Sequence, residues 1–537
     1  MGETTNNVNS EGKGLFRVAT WIAVIILISK IAGFLRDVIV ANYYGAGLVS
    51  DAYFYAYQIP ALVLIILGGV GGPFHSATVA VFSKVVADFK AKPPAEVKKL
   101  FNTFETSTFI VFAVLALLCY FFPKQIMGII ISGNSPELLE LAAHQLRIMS
   151  PIVLIGSIIG IYYGILVTYK HFLLPNLSPS FMSLGLIATL LITKGNDSGF
   201  IPGFYLAVGT TVGAITQLLV QIPTVVKIGF NFMPTFGAFK DANFKEIMEI
   251  LFPAFLSSTI GQIGLYIDMF FASSLQSGAW TALGFANRIF QFAIGMLLTA
   301  VLVPLFPLFS RLVAQKDMNS LKYYFKNGVG MLFFIGAYAM AFILIVRTDA
   351  IRIALERGAF TPEATVLVSE ILFFITISLL PYAFRDSITR LFYAFSDSKT
   401  PFYVATLSIV FKIILNMLLV GPMGINGIAL STTLITLING VLLGILIKRK
   451  LDFKYTPMLI ELAKILLAAA VAGTLGWFAH KVYAHYVPWS MLFGLIKICF
   501  VGIVSLGAYL LTAHLLKIAY VGILAAKIKS KLIREGE

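Results

Sequence analysis

Along the chain, about fourteen runs of roughly 20 or more mostly apolar residues alternate with short polar connections, and a run of that length crosses a bilayer as one helix. The pattern predicts a first set of spans at Leu15–Tyr43, Tyr53–Val86, Phe101–Pro123, Ala142–Tyr169, Pro175–Thr193 and Pro202–Val226. A second set follows at Ile247–Leu275, Trp280–Leu312, Tyr323–Val346, Pro362–Phe395, Pro401–Val420 and Ile425–Ile447. Two more, Pro457–Tyr483 and Trp489–Leu516, precede a basic amphipathic stretch, Ile518–Ile533, expected to lie along the membrane surface. The expected organisation is a tail (1–14), a bundle of six spans (15–228), a second bundle (240–449), a terminal pair (457–516) and a basic tail (517–537).

Composition narrows the class. Of 537 residues, 58% are hydrophobic and 12% charged, too few charges for a water-facing surface, which normally draws on roughly 25%. An all-α polytopic membrane protein is the reading, with no room for a large soluble catalytic domain. Cys119 and Cys499 stand alone in apolar runs, which excludes a disulfide framework and a thiolate metal site. The polar start, Met1–Ser10, predicts a cytoplasmic tail without a cleaved leader.

The net charge of +15 would point to nucleic acid in a soluble chain; here it follows topology. Lys84, Lys90, Lys92, Lys98 and Lys99 follow span 2, Lys227, Lys240 and Lys245 follow span 6, and Lys448, Arg449 and Lys450 follow span 12. All fall on one side, as do both tails, and the positive-inside rule makes that side cytoplasmic. One connection breaks the alternation: between spans 9 and 10, Arg347, Arg352 and Arg357 mix with Asp349 and Glu356.

Repetition is weak but suggestive. Asp268 lies 231 positions after Asp37, and the same shift lays Gly278 over Gly47. Two parallel bundles of six spans fit this, the arrangement of rocking transporters.

Charges inside spans are costly and therefore informative. Lys30 and Arg36 lie about two turns apart in span 1 and so on roughly one face, with Asp37 beside Arg36. Asp51 opens span 2, Asp268 sits within span 7 and Arg288 within span 8. Lys30, Arg36 and Arg288 together would suit an anionic headgroup, since guanidinium forks grip phosphate and an ammonium adds a point charge. The simpler alternative pairs Arg36 with Asp37 or Asp51 and lets Arg288 reach the interface. Lys412 is expected to face the second bundle's cavity, and Lys497 to reach the interface or a lipid phosphate. The glycine run at Gly68–Gly72 reads as a helix break, not a phosphate loop, because no Gly-Lys-Ser/Thr follows.

Several motifs resemble the MurJ (MviN) family of lipid II flippases. They are Ser29-Lys30-Ile31-Ala32-Gly33-Phe34-Leu35-Arg36-Asp37, Tyr44-Gly45-Ala46-Gly47 and Asp51-Ala52-Tyr53-Phe54. Phe252-Pro253-Ala254, Ala272-Ser273, Asn287-Arg288, Arg357-Gly358-Ala359-Phe360-Thr361, Phe392-Tyr393-Ala394 and Asp397-Ser398-Lys399-Thr400-Pro401 continue the likeness over about twelve spans. The resemblance implies the multidrug/oligosaccharidyl-lipid/polysaccharide exporter fold, two six-helix lobes in a V plus two C-terminal helices. It implies a monomeric inner-membrane flippase for lipid II, with both termini cytoplasmic, alternating access, membrane lipids as neighbours, and no nucleic acid partner or cofactor. Arg36, Arg288 and Lys30, the last in place of an arginine, would hold the diphosphate, while Asp37 and Asp51 would orient those cations or gate the lobes. The driving force would be sodium, with Asp268 as the candidate ligand by position, or the membrane potential. An asparagine and an arginine that other members carry in span 2 are absent from the apolar Pro60–Ile66, and the acidic residue after the span 8 arginine is Gln291.

Other flippases of polyprenyl-diphosphate saccharides predict the same cations. A drug or cation antiporter would favour an acidic cavity, and a glycosyltransferase would need a long external loop that is missing.

Overall fold

A computed structural model describes residues 24–68, 73–86, 92–132 and 135–522. No strand occurs among them. The tail 1–14 and the basic stretch from 523 onward lie outside the described residues.

The chain divides into two compact units, 1–281 with 357–360 and 282–356 with 361–537. The division falls inside the eighth expected span, so the seventh packs with the first six. In the first unit, α1 covers 24–44, followed by α2 (Leu48–Gly68), α3 (Pro73–Val85), α4 (Ala95–Phe121), α5 (Pro123–Ile130) and α6 (Pro136–Met149). Then come α7 (Pro151–Thr168), α8 (Leu173–Thr193), α9 (Phe204–Ile228) and α10 (Ala242–Ala272). An apolar sequence with no polar face belongs at the centre of a bundle. Accordingly α7 packs against α2, α3, α4 and α9, and 72% of its spanning window is buried. Helices α8 and α9 approach closely because Gly185 and Gly213 face each other: a Cβ on Gly213 would lie 2.3 Å from the Met182 carbonyl oxygen.

Helix α11 (Ala279–Ala314) starts in the first unit and continues in the second. The second unit is built on α12 (Met318–Leu355), with α13 (Pro362–Ile377), α14 (Leu379–Ala394), α15 (Lys399–Met423), α16 (Ile425–Leu451), α17 (Thr456–Tyr486) and α18 (Met491–Leu515). Helix α12 touches α13, α14, α17 and α18. The single expected span Pro362–Phe395 is two helices bent by 44°. Pro381 explains the bend, since it has no N–H and its ring clashes with the carbonyl four residues back.

Among the described residues 11 helices are long and apolar enough to cross a membrane, or 12 with the bent pair. These correspond to expected spans 3 to 14. The first two fall on α1 and on α2 and α3; the expected glycine break lies outside the described residues, at 69–72. Large apolar side chains are exposed along the outer faces, among them Phe121 (63%), Met417 (67%) and Ile503 (73%). A bilayer makes such faces stable, because the helices satisfy their own backbone groups and lipid covers the side chains.

Candidate functional site

Helix α1 is continuous, so Lys30, Arg36 and Asp37 ride on one rod. Six residues turn through about 600°, leaving Lys30 and Arg36 ~120° apart around the axis and ~9 Å along it. The expected common face is thereby corrected: Lys30 is exposed and Arg36 half-buried. One side of α1 is tied to α8 through Ser29, whose hydroxyl donates to the Asn176 carbonyl at 2.9 Å and lies 2.8 Å from the Ser180 hydroxyl.

Arg36 donates through Nε and one terminal nitrogen to a single oxygen of Asp37, at 3.1 and 3.0 Å. Their side chains are 18% and 6% exposed. A charge at such depth is costly without a partner, and each of the two supplies the other's. This is the simpler of the two sequence alternatives, and it leaves a guanidinium oriented by its neighbour. Asp51, 4% exposed, does something different. Its carboxylate accepts the Gly278 N–H at 2.7 Å, the Thr281 N–H at 2.8 Å and the Thr281 hydroxyl at 2.6 Å. It therefore caps the first turn of α11 from another helix, satisfying donors that a helix start leaves without intrahelical partners. It makes no pair with Arg36.

The family-like motifs converge around this cap. The Ala359 N–H donates to the Asn42 carbonyl at 2.8 Å. Gly358 (φ +58) and Gly278 (φ +86) adopt left-handed backbone, and a Cβ on either would lie 2.2 Å from the Asn42 carbonyl oxygen or 2.3 Å from that of Ala46. Only glycine fits such close backbone approaches. Ser273, at the end of α10, accepts the Ser132 N–H at 2.9 Å and, through its carbonyl, the Ser135 hydroxyl at 2.5 Å.

Asp268 is buried in α10 beside Met269, whose carbonyl accepts the Tyr55 hydroxyl at 2.7 Å. Among the described residues no group of three or more His, Cys, Asp or Glu is placed to hold a metal. Arg288 belongs to the second unit, half-buried in α11, its guanidinium 5.7 Å from the Phe285 ring centroid. Lys412 is 5% exposed and donates to the Thr432 hydroxyl of α16 at 2.5 Å. Lys497 is equally buried and pairs with Asp349 at 2.7 Å.

Sequence reasoning passed over Glu105, 2% exposed in α4. A lone carboxylate inside an apolar run was the available signal. Its neighbours Thr103 and Thr106 accept the N–H groups of Ala238 and Thr235, at 3.1 and 3.0 Å, so the connection before α10 docks there.

The sequence model of the family described as "Lipid II flippase MurJ" matches residues 40–497. A Synechocystis protein named "Probable lipid II flippase MurJ" is 30% identical over 492 residues, covering 90% of each chain. A Burkholderia cenocepacia protein named "Lipid II flippase MurJ" is 25% identical, covering 87% of this chain and 90% of that one. Among solved structures, "Lipid II flippase MurJ, inward closed conformation" superposes with a TM-score of 0.76 at 26% identity, over 92% of this chain and 98% of that one. An inward-facing multidrug resistance MATE family transporter of the MOP superfamily shares the fold at 13% identity, TM-score 0.57, over 81% and 98%.

Proposed function

The chain belongs to the MurJ family of lipid II flippases, and from that premise we propose how its own residues carry the substrate. It is a transporter and not an enzyme, moving lipid-linked peptidoglycan precursor across the membrane for wall synthesis. The observation that carries this is the family match across 40–497, which takes in both units.

In our reading the protein sits in the bacterial cytoplasmic membrane with its Lys- and Arg-rich connections and both termini inside, as the charge asymmetry favours. The helix α1 and the pair α2–α3 complete fourteen spans. Transport runs by alternating access, and one chain suffices because it contains both lobes. Arg36, held by Asp37, grips the diphosphate with its fork, Arg288 supplies a second fork, and the exposed Lys30 adds a point charge. Asp51 gates by capping α11, a cap that must be kept or broken as a unit.

The test is lipid II exposure on the outer face of cells depleted of their own flippase and expressing this chain, read by cleavage with an added lipid II-degrading toxin. Wild type should restore cleavage, and Arg288→Ala at matched membrane expression should lower it about tenfold or more, the loss expected for one charge-assisted pair. No cleavage by well-expressed wild type would move the substrate to another polyprenyl-diphosphate saccharide, for which the apolar Pro60–Ile66 is the specific pointer. For the driving force, Asp268→Asn should abolish sodium dependence while flipping continues; unchanged ion dependence leaves the membrane potential, worth ~2.3 kcal/mol per charge per 100 mV.

A further inference from the structure

The one connection that breaks the charge alternation meets the terminal helix pair in space. A cavity of about 220 Å³ opens where α12 ends and α17 turns into α18, lined by Asp349, Arg352, Tyr483, Trp489, Phe493 and Lys497 among others. Asp349 is its anchor: one oxygen takes the Lys497 ammonium at 2.7 Å and the other lies 2.6 Å from His480 Nε2. Lys497 and Arg352 against Asp349 give the lining itself an excess of one cation, which Glu356, behind the lining, offsets at the Nε edge of the Arg352 fork. Arg352 stacks on Trp489, 4.1 Å from the ring centroid, and pairs with Glu356 through Nε at 2.9 Å. The second Glu356 oxygen is occupied by the Thr365 hydroxyl at 2.8 Å. The terminal nitrogens of the Arg352 fork are thus left to bind an anion, beside the Lys497 ammonium, which also lies 5.4 Å from the Trp489 ring centroid.

We propose that this cavity binds the phosphate of an anionic glycerophospholipid. Three observations select a lipid. The site lies at a helix hairpin with Trp489, Tyr483 and Tyr486, the side chains that favour the headgroup layer. Below it, exposed Leu492, Leu495, Ile496 and Ile503 of α18 offer a surface for acyl chains. The volume is smaller than the ~300–1,000 Å³ of sites that enclose whole ligands, so it takes a headgroup whose tails remain outside.

The experiment uses the full chain in detergent, titrated with phosphatidylglycerol or phosphatidylcholine carrying brominated chains, with tryptophan quenching as readout. Wild type should prefer phosphatidylglycerol about tenfold, and Arg352→Gln should remove that preference, whereas Lys245→Gln, at an exposed site of the other unit, should keep it. Trp489→Leu leaves every charge in place and should lower the apparent phosphatidylglycerol affinity, read by the remaining tryptophans; it decides the matter if Arg352→Gln does not fold. Equal quenching by the two lipids, or preference retained in both variants, overturns the proposal. Displacement of phosphatidylglycerol by millimolar inorganic phosphate, with an equal thermal shift from phosphate alone, would make the ligand free phosphate and overturn the lipid assignment.

Discussion

Asp51 and Arg36 show two ways in which a membrane protein keeps a charge. Arg36 is neutralised by the residue next to it in sequence, a pairing that any reader of Arg36-Asp37 would consider. Asp51 is satisfied by N–H and O–H groups of residues 278 and 281, which no local pattern announces. The cap makes a sharp prediction. Asp51→Asn replaces one acceptor oxygen by an amide that faces backbone donors, so the purified protein should lose about 2 kcal/mol, the cost of leaving buried donors unsatisfied. A melting temperature unchanged in that variant would remove the cap from the account. The role of Lys412 was hidden for a related reason: a single charge in an apolar run is visible, but the Thr432 hydroxyl that it meets lies on another helix.

At the level of elements, the long apolar runs translate directly into helices, and breaks follow from backbone chemistry. Pro381 bends α13 against α14. Packing between helices depends on finer detail. Gly213 lets α9 lie against the α8 backbone; Gly213→Leu forces a side chain into the Met182 carbonyl and should destabilise the first unit by about 1–3 kcal/mol, measured by thermal denaturation in detergent. Gly209→Ala, whose Cβ would meet side-chain atoms of Leu186 and Thr189, should cost less, because side chains yield where backbone does not. Small residues in these runs are apparent in sequence, yet which of them face a neighbour is not.

For the whole molecule, the asymmetric charge pattern does double duty as topology signal and as local fastening. Asp397, in the connection between α14 and α15, accepts the Thr400 N–H at 3.1 Å and meets Lys450 of α16 at 3.0 Å. The Thr400 N–H foremost, then Lys450 and the Thr400 hydroxyl, hold its carboxyl below the ordinary 3.8. A depressed carboxylate contributes stability that is complete above its ordinary value and lost as the pH falls through the lower folded value. Acid unfolding below about pH 4 should therefore be shallower in Asp397→Asn than in wild type, and parallel curves would refute the assignment. Asp397 and Lys450 are partly open to solvent, so the effect should shrink in high salt.

Much about this protein is determined by sequence alone. Run length and the scarcity of charge dictate a polytopic helical protein, because unpaired backbone cannot exist in hydrocarbon. The motifs around Arg36, Asp51 and Gly358 identify the family, and the charges inside spans mark positions worth testing. Tertiary structure decided what each charge does. It made Asp51 a cap, buried Lys412 between helices, and brought Asp349, His480 and Lys497 together from three separate helices. Hydropathy is a property of each segment by itself, whereas the partner of a buried charge is chosen by packing, and packing joins residues that the sequence keeps far apart.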